Sequence, residues 1–312
     1  MATTSQRVVI TGATGLIGRL VCAALQKRGY ELVIFSRDPA QARTILPAAA
    51  TYVAWSPAAE GPWAAALDGV AAVVHLAGAP ISKGLLGPRW TDDYKAQIRD
   101  SRVLGTRGIV SAMAAAAHPP AVFVCASAIG YYGYRDATPL NEESPAGSDF
   151  VADVTVAWER EAARAQDSGV RTVRLRTGLF LDPDDGVLPQ IITPFKLRSG
   201  GPVGSGDQYY SWIHPADHLN LLLNALSDER YNGPINATAP NPVTNREFAA
   251  TLGKVLNSPS WLPVPEFSLR LTLGEMADLV VKGQRVLPAR ARALGYEFKY
   301  PALEPALRDL LK

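Results

Sequence analysis

At 312 residues, 47% apolar and 19% charged, the chain is long enough to bury a large core as one elaborated domain or as two. Its net charge of +2, with no basic run, gives no reason to expect nucleic acid or an acidic membrane as a partner. No stretch approaches the ~18 consecutive apolar residues of a membrane helix, and the first ten residues carry no secretory pattern. Four scattered histidines form no ligand cluster. Cys22 and Cys125 fall inside apolar patterns that predict buried thiols rather than a disulfide or metal pair. The expectation is a cytoplasmic protein without a metal site.

The first predicted strand, Arg7–Thr11, runs into Gly12-Ala13-Thr14-Gly15-Leu16-Ile17-Gly18 and then an apolar helical pattern through Leu20, Val21, Ala24 and Leu25. Three glycines spaced by three let a strand turn sharply into a helix, let a pyrophosphate approach the backbone, and let the helix pack close on the sheet. The helix N-terminus offers free N–H groups and a positive dipole end to the phosphates. With strand and helix both legible, the segment reads as a dinucleotide-binding turn. Its GxxGxxG spacing inside Thr-Gly-Ala-Thr-Gly resembles the extended short-chain dehydrogenase/reductase superfamily.

The second predicted strand, Glu31–Ser36, ends at Ser36-Arg37-Asp38, about 20 residues past the glycines. An acidic residue at this end would bond a ribose 2′-hydroxyl. Ser36 and Arg37 instead offer donors that fork onto a 2′-phosphate, so the expected cofactor is NADP(H). Arg19 is a further candidate for the same phosphate, and Asp38 is the competing residue. A third strand is expected over 51–55 and a fourth over 71–76, leaving through Leu76-Ala77-Gly78. Small residues there allow backbone to approach the cofactor. His75 reads as a core histidine. A long helix over 90–117 carries Lys95 and Arg102 on one face, and a cation from it, Arg102 foremost, is placed at the cofactor.

Further strands are expected over 121–127 and 171–176, with a helix over 150–165 between them. Strands apolar on both faces and separated by helices predict a doubly wound parallel α/β sheet. After residue 177 glycine and proline become frequent. A helix over 215–226 and the strand Gly233–Ala237 return to the sheet. The division expected is residues 1–177 plus 213–238 as the dinucleotide-binding domain, with 178–212 plus 239–312 as a smaller substrate-side domain. The two long helices, 90–117 and 150–165, would serve a homodimer interface, and a monomer is equally allowed.

The superfamily resemblance implies a Tyr and a Lys four residues later on the helix before the sixth strand, and a Ser or Thr ending the fifth. Here that helix contains neither Tyr nor Lys between Phe150 and Glu161. The fifth strand does end in Ser127-Ala128-Ile129-Gly130-Tyr131-Tyr132-Gly133. Counting four back from Tyr131 reaches Ser127, and from Tyr132 reaches Ala128. Several motifs together resemble an atypical branch, the "epimerase family" of SulA-like, nucleoside-diphosphate-sugar-epimerase-like proteins. They are His75-Leu76-Ala77-Gly78, Ser127 to Gly133, Ala157-Trp158-Glu159, Gly200 to Gly206, Trp212-Ile213-His214, Asn236 to Pro240 and Gly283 to Pro288. The resemblance implies an NADP(H)-binding extended fold with poorly defined substrates, and that branch shares the missing Tyr/Lys pair.

Candidate catalytic residues are therefore Ser127, Tyr131, Tyr132 and His214, with Asp217 placed to orient the imidazole. An unassisted phenol serves as an acid more readily than as a base at neutral pH. Phe180, just past the sixth strand, is a candidate for packing on the nicotinamide, and Gln284-Arg285 for capping an anionic substrate. Two functions follow: an NADP(H)-dependent oxidoreductase or epimerase-like enzyme on a small carbonyl or sugar-like molecule, or a non-catalytic NADP(H) sensor that regulates a partner.

Overall fold

The computed structural model describes residues 6–57, 61–82, 84, 87 and 89–312. Residues 1–5, part of the segment read above for a leader, lie outside the described residues. Seven parallel strands build the central sheet: β1 (Arg7–Thr11), β2 (Glu31–Ser36), β3 (Thr51–Ala54), β4 (Ala72–His75), β5 (Val122–Ala128), β6 (Arg171–Thr177) and β7 (Gly233–Ala237). Their order across the sheet is β7-β6-β5-β4-β1-β2-β3. The chain thus winds one way from β1 and the other way from β4, and a crevice opens between the carboxyl ends of those two neighbours.

Alternation along the strands separates two cores, as a doubly covered sheet requires. Ile10, Ile34, Val74, Val124 and Leu175 pack on one face with Val21 and Leu25 of helix α1 (Leu16–Lys27). Val9, Val33, Val73, Phe123 and Cys125 pack on the other with residues of two long helices. Helix α2 (Pro39–Ile45) follows β2. The long helices are α3 (Asp92–Ala115), which supplies Ile109 and Met113, and α4 (Phe150–Ala163), which supplies Trp158 and Ala162. Both cysteines are buried and free, and burial pushes the Cys22 thiol up to about 12. The outward faces of α3 and α4 carry exposed Asp92, Asp93, Arg99, Asp100, Asp153 and Arg160.

A third core gathers Leu181, Phe195, Trp212, Phe248, Leu252 and Leu307, drawn from both sides of β7 in sequence. It includes helices α5 (Leu188–Lys196) and α7 (Asn245–Val255), which flank α6 (Pro215–Ser227) in chain order. Strands here are two residues long. Trp212–Ile213, just ahead of α6, pairs with Leu179–Phe180 and not with the main sheet. Arg285–Val286 pairs with Pro139–Leu140, stitching this region to the loop after β5. No helix among the described residues is long and apolar enough to cross a membrane.

Candidate functional site

The glycine turn sits at the crevice between β1 and β4. Gly12 has φ +67°, and a Cβ there would lie 2.7 Å from the Leu76 carbonyl carbon and 2.8 Å from Ala77 N. A Cβ on Gly18 would meet Gly12 O at 2.3 Å and Ala13 Cα at 2.6 Å. Both glycines are thus demanded by close backbone approach. Gly15 caps α1 with extended backbone and no side-chain acceptor, so the first-turn N–H groups of Leu16, Ile17 and Gly18 are left for a ligand. Thr11 ties the two strand exits together: its carbonyl accepts from Leu76 N at 3.2 Å, and its hydroxyl accepts from Ala77 N at 3.2 Å and bonds His75 Nδ1 at 2.7 Å. This cradle, with Gly12, Ala13, Thr14, Gly15 and Gly18 on one side and Leu76, Ala77 and Gly78 on the other, fits a dinucleotide. His75 is fully buried, and burial pushes it down to about 3, so it is a neutral core histidine.

Asp38 is spent on capping α2, where its carboxylate accepts from Gln41 N at 2.9 Å. Ser36 Oγ donates to Asp38 O at 3.0 Å within the same turn. Arg37 is left exposed, with no bond to any described residue. Arg19 is placed elsewhere than the end of β2: it donates to Thr14 O at 2.9 Å and lies 3.4 Å from Asp185. On α3, Lys95 pairs with Glu275 and so is withdrawn from the cofactor side. Arg102 stays there. Its guanidinium donates to the Ala79 and Ile98 carbonyls at 3.0 Å and lies against Gly78, where a Cβ would be 3.2 Å from Cζ. Burial pushes it down to about 10, partly countered by Tyr94, so it remains charged at neutral pH.

Beside the crevice lies a buried polar network that sequence reasoning missed. Parallel pairing places Ser127 of β5 opposite Arg176 of β6. Glu159 of α4 reaches down between them, accepting from Arg176 Nε at 2.7 Å, from Arg176 Nη2 at 2.8 Å and from Ser127 Oγ at 2.5 Å. Arg176 Nη1 donates to the Tyr132 hydroxyl at 2.9 Å, which donates in turn to Asn236 Oδ1 of β7 at 2.7 Å. Every member is at most 4% exposed. Burial alone would push Arg176 down, but the bidentate carboxylate and the phenol oxygen outweigh it and hold the guanidinium charged. Burial pushes Tyr132 up to about 12, against the opposing pull of Arg176 and Asn236.

Two of the sequence candidates are therefore occupied. The Ser127 hydroxyl is committed to Glu159, and Tyr132 is sealed and bonded on both sides. Tyr131 is different. It is half-buried, its hydroxyl has no partner among the described residues, and the Arg176 guanidinium lies over its ring with Cζ 3.5 Å from the centroid. Only one signal in the sequence hinted at this: arginines at 174 and 176 inside a strand expected to be covered on both faces, which require a buried counter-charge.

His214 belongs to a separate constellation. Its Nδ1 caps α6 by accepting from Ala216 N at 3.1 Å, its ring stacks on Tyr300 at 3.8 Å, and Nε2 lies 3.4 Å from Asp309. Burial pushes it down, against the pull of Asp309 and Asp217. Asp217 does not orient it. Its two oxygens accept from Tyr296 Oη, Lys299 N and Tyr300 N at 2.8–2.9 Å. Phe180 packs edge-on against His218 at 5.2 Å. Gln284 donates to Ile129 O at 3.0 Å, two residues from Tyr131, while Arg285 lies over the Tyr209 ring at 5.2 Å. A cavity of about 610 Å³ lies at the opposite ends of the strands, lined by Val8, Ala72, Val122 and Arg171. Its arginine is consumed by the Ala225, Leu226 and Tyr231 carbonyls.

Comparison with known proteins agrees with this geometry. A model described as a domain of unknown function (DUF1731) matches residues 264–310. The chain is 42% identical to the chloroplastic epimerase family protein SDR39U1 homolog of Arabidopsis thaliana, covering 98% of this chain and 86% of that protein. It is 33% identical to the human epimerase family protein SDR39U1, over 98% of this chain and 99% of that one. The crystal structure of human SDR39U1 (isoform 2) with NADPH superposes with a TM-score of 0.86 at 32% identity, covering 97% and 98% of the two chains. A nucleoside-diphosphate sugar epimerase from Corynebacterium glutamicum gives 0.77 at 33% identity, covering 97% of this chain and 58% of that one. With the model for the NAD dependent epimerase/dehydratase family matching residues 8–237, the chain belongs to that family, in its SDR39U1-like branch.

Proposed function

We propose that this protein is an NADP(H)-dependent oxidoreductase or epimerase-like enzyme acting on a small carbonyl or sugar-like substrate, with Tyr131 as its proton donor. The observation that carries the proposal is the Tyr131 phenol: its hydroxyl without a hydrogen-bond partner among the described residues, at the exit of β5, its ring held over a buried charged guanidinium. The glycine turn would hold the pyrophosphate, Arg102 the neighbouring ribose or phosphate, and Arg37 the 2′-phosphate. The exposed guanidinium of Arg37 beside an Asp38 already spent on a helix cap supports NADP(H), as does the NADPH in the human SDR39U1 crystal structure. When bound, the cofactor supplies or accepts a hydride. The chain does the rest. Glu159 clamps Arg176, Arg176 orients Tyr131, and Tyr131 gives a proton to the substrate oxygen. In this reading residues 178–212 and 239–312 form the substrate side, and Gln284 anchors it to the Tyr131 loop.

A second reading, an NADP(H) sensor that regulates a partner, is favoured by one observation: Ser127 and Tyr132 are locked into the network and unavailable to a substrate. One experiment separates the two. Cofactor-stripped protein is titrated calorimetrically with NADPH and NADH, then screened for NADPH oxidation with aldehydes, quinones and keto-sugars. The enzyme reading expects tight NADPH binding and oxidation with some member of the panel; binding without oxidation supports the sensor. Arg37→Asp should cost NADPH affinity while leaving NADH unchanged or improved, and equal loss of both would refute the 2′-phosphate assignment.

A further inference from the structure

The region beyond β6 reaches back to the glycine turn at one place. After Leu181 the chain reads Asp182-Pro183-Asp184-Asp185-Gly186, and Asp182 Oδ1 accepts from the Asp184 and Asp185 N–H groups at 3.0 Å. This fold of the loop brings Gly186, at φ +79°, against α1, where a Cβ would sit 3.6 Å from Leu16 Cδ2. Asp185 Oδ1 accepts from Gly186 N at 2.7 Å, which turns Oδ2 toward Arg19 Nη2 at 3.4 Å. Gln190 Nε2 donates to Gly186 O at 3.1 Å, fastening the loop to α5. The other arm of Arg19 donates to Thr14 O, inside the glycine turn itself. One guanidinium therefore joins the floor of the cofactor cradle to a loop from the opposite side of the cleft.

We propose that residues 182–190 are a strap that closes over the bound dinucleotide, with the Arg19–Asp185 pair as its latch. The proposal rests on the reading that the glycine turn holds NADP(H). Both members are about half exposed, at 45% and 54%, so the pair is weak and screened by salt. Such a contact opens and re-forms readily, as cofactor entry and exit require. The sign of its effect is diagnostic. A carboxylate beside a diphosphate repels it, so charge alone says that removing Asp185 slows cofactor release. A latch says the reverse.

The test is stopped-flow displacement of NADPH from the full-length protein by excess NADP+, read by nicotinamide fluorescence at low and at high salt. Wild-type release should accelerate with salt. Asp185→Asn should release NADPH faster at low salt, by up to roughly fivefold, the span an exposed pair supplies, and its release should respond less to salt than that of wild type, the remainder coming from the cofactor's own phosphate contacts. Asp185→Glu, which keeps the charge on a longer arm, should fall back toward the wild-type rate. Release from Asp185→Asn that is unchanged or slower overturns the strap. Wild-type protein that binds no NADPH overturns the cofactor reading, and the strap with it, before any variant is compared.

Discussion

Tyr131 and Tyr132 are neighbours in sequence with opposite fates. The Tyr132 ring is buried and its hydroxyl bridges Arg176 and Asn236, whereas the Tyr131 hydroxyl has no partner among the described residues and only its ring is held. Phenylalanine at each position should therefore separate chemistry from stability. Tyr131→Phe should abolish NADPH oxidation while leaving the urea midpoint near wild type. Tyr132→Phe should lower stability by about 1–3 kcal/mol, because two buried polar partners lose their bond. Reversed phenotypes would exchange the two roles. Sequence left this choice open, since four residues back from Tyr131 is Ser127 whereas Tyr132, which precedes Gly133, reaches Ala128. What separates their surroundings is Arg176, which meets Ser127 only through strand pairing and Glu159 only through the packing of α4 on β6. Residues 127, 132, 159, 176 and 236 are brought together by topology, and no local pattern joins them.

At the scale of elements, the strands of the first half were legible as short continuous apolar runs and the helices by apolar residues repeating with a period of 3.6. All seven strands of the sheet lie where that pattern places them, within a residue or so at their ends. The later region was far less legible. Its strands are two residues long, too short for any periodicity, and Trp212–Ile213 pairs outside the main sheet. The glycine turn is the most exposed element to test. Gly18→Ala places a methyl 2.3 Å from a carbonyl oxygen of the same turn, and no flexible side chain is there to yield. It should weaken NADPH binding at least tenfold in calorimetry, whereas Gly108→Ala, whose added methyl would meet the Trp63 ring in ordinary contact at 3.7 Å, should bind NADPH like wild type. Equal affinity in all three proteins would mean that the turn does not carry the cofactor.

At the scale of the molecule, two histidines are held neutral inside it. Burial pushes His75 down to about 3 and His218 to about 4, each from an ordinary value of ~6.5. A folded value below the unfolded one means that the unfolded chain takes up the extra proton. Above pH ~6.5 neither state is protonated and nothing is lost; below it each histidine costs up to about 1.4 kcal/mol per pH unit. That loss continues to about pH 4 for His218 and about pH 3 for His75. Urea midpoints should accordingly decline from pH 6.5 downward, and His218→Gln, which retains an acceptor and donor for Thr177, should shallow the slope. An unchanged slope would show that His218 is protonated in the native state.

The face of α4 turned toward the β5 exit has one further consequence. A Cβ on Gly130 would lie 2.4 Å from Val151 Cγ1, Thr155 follows one turn on with its hydroxyl returned to the Val151 carbonyl, and Glu159 follows on the next turn. A protein engineer placing a tyrosine–lysine pair four residues apart on this face would use those rungs. A tyrosine at 151 collides with the loop, and a lysine at 159 sets one cation against another in the interior. Packing at 151 and charge at 159 together bar that pair from this face of the helix, so two substitutions alone would not install ordinary reductase chemistry here.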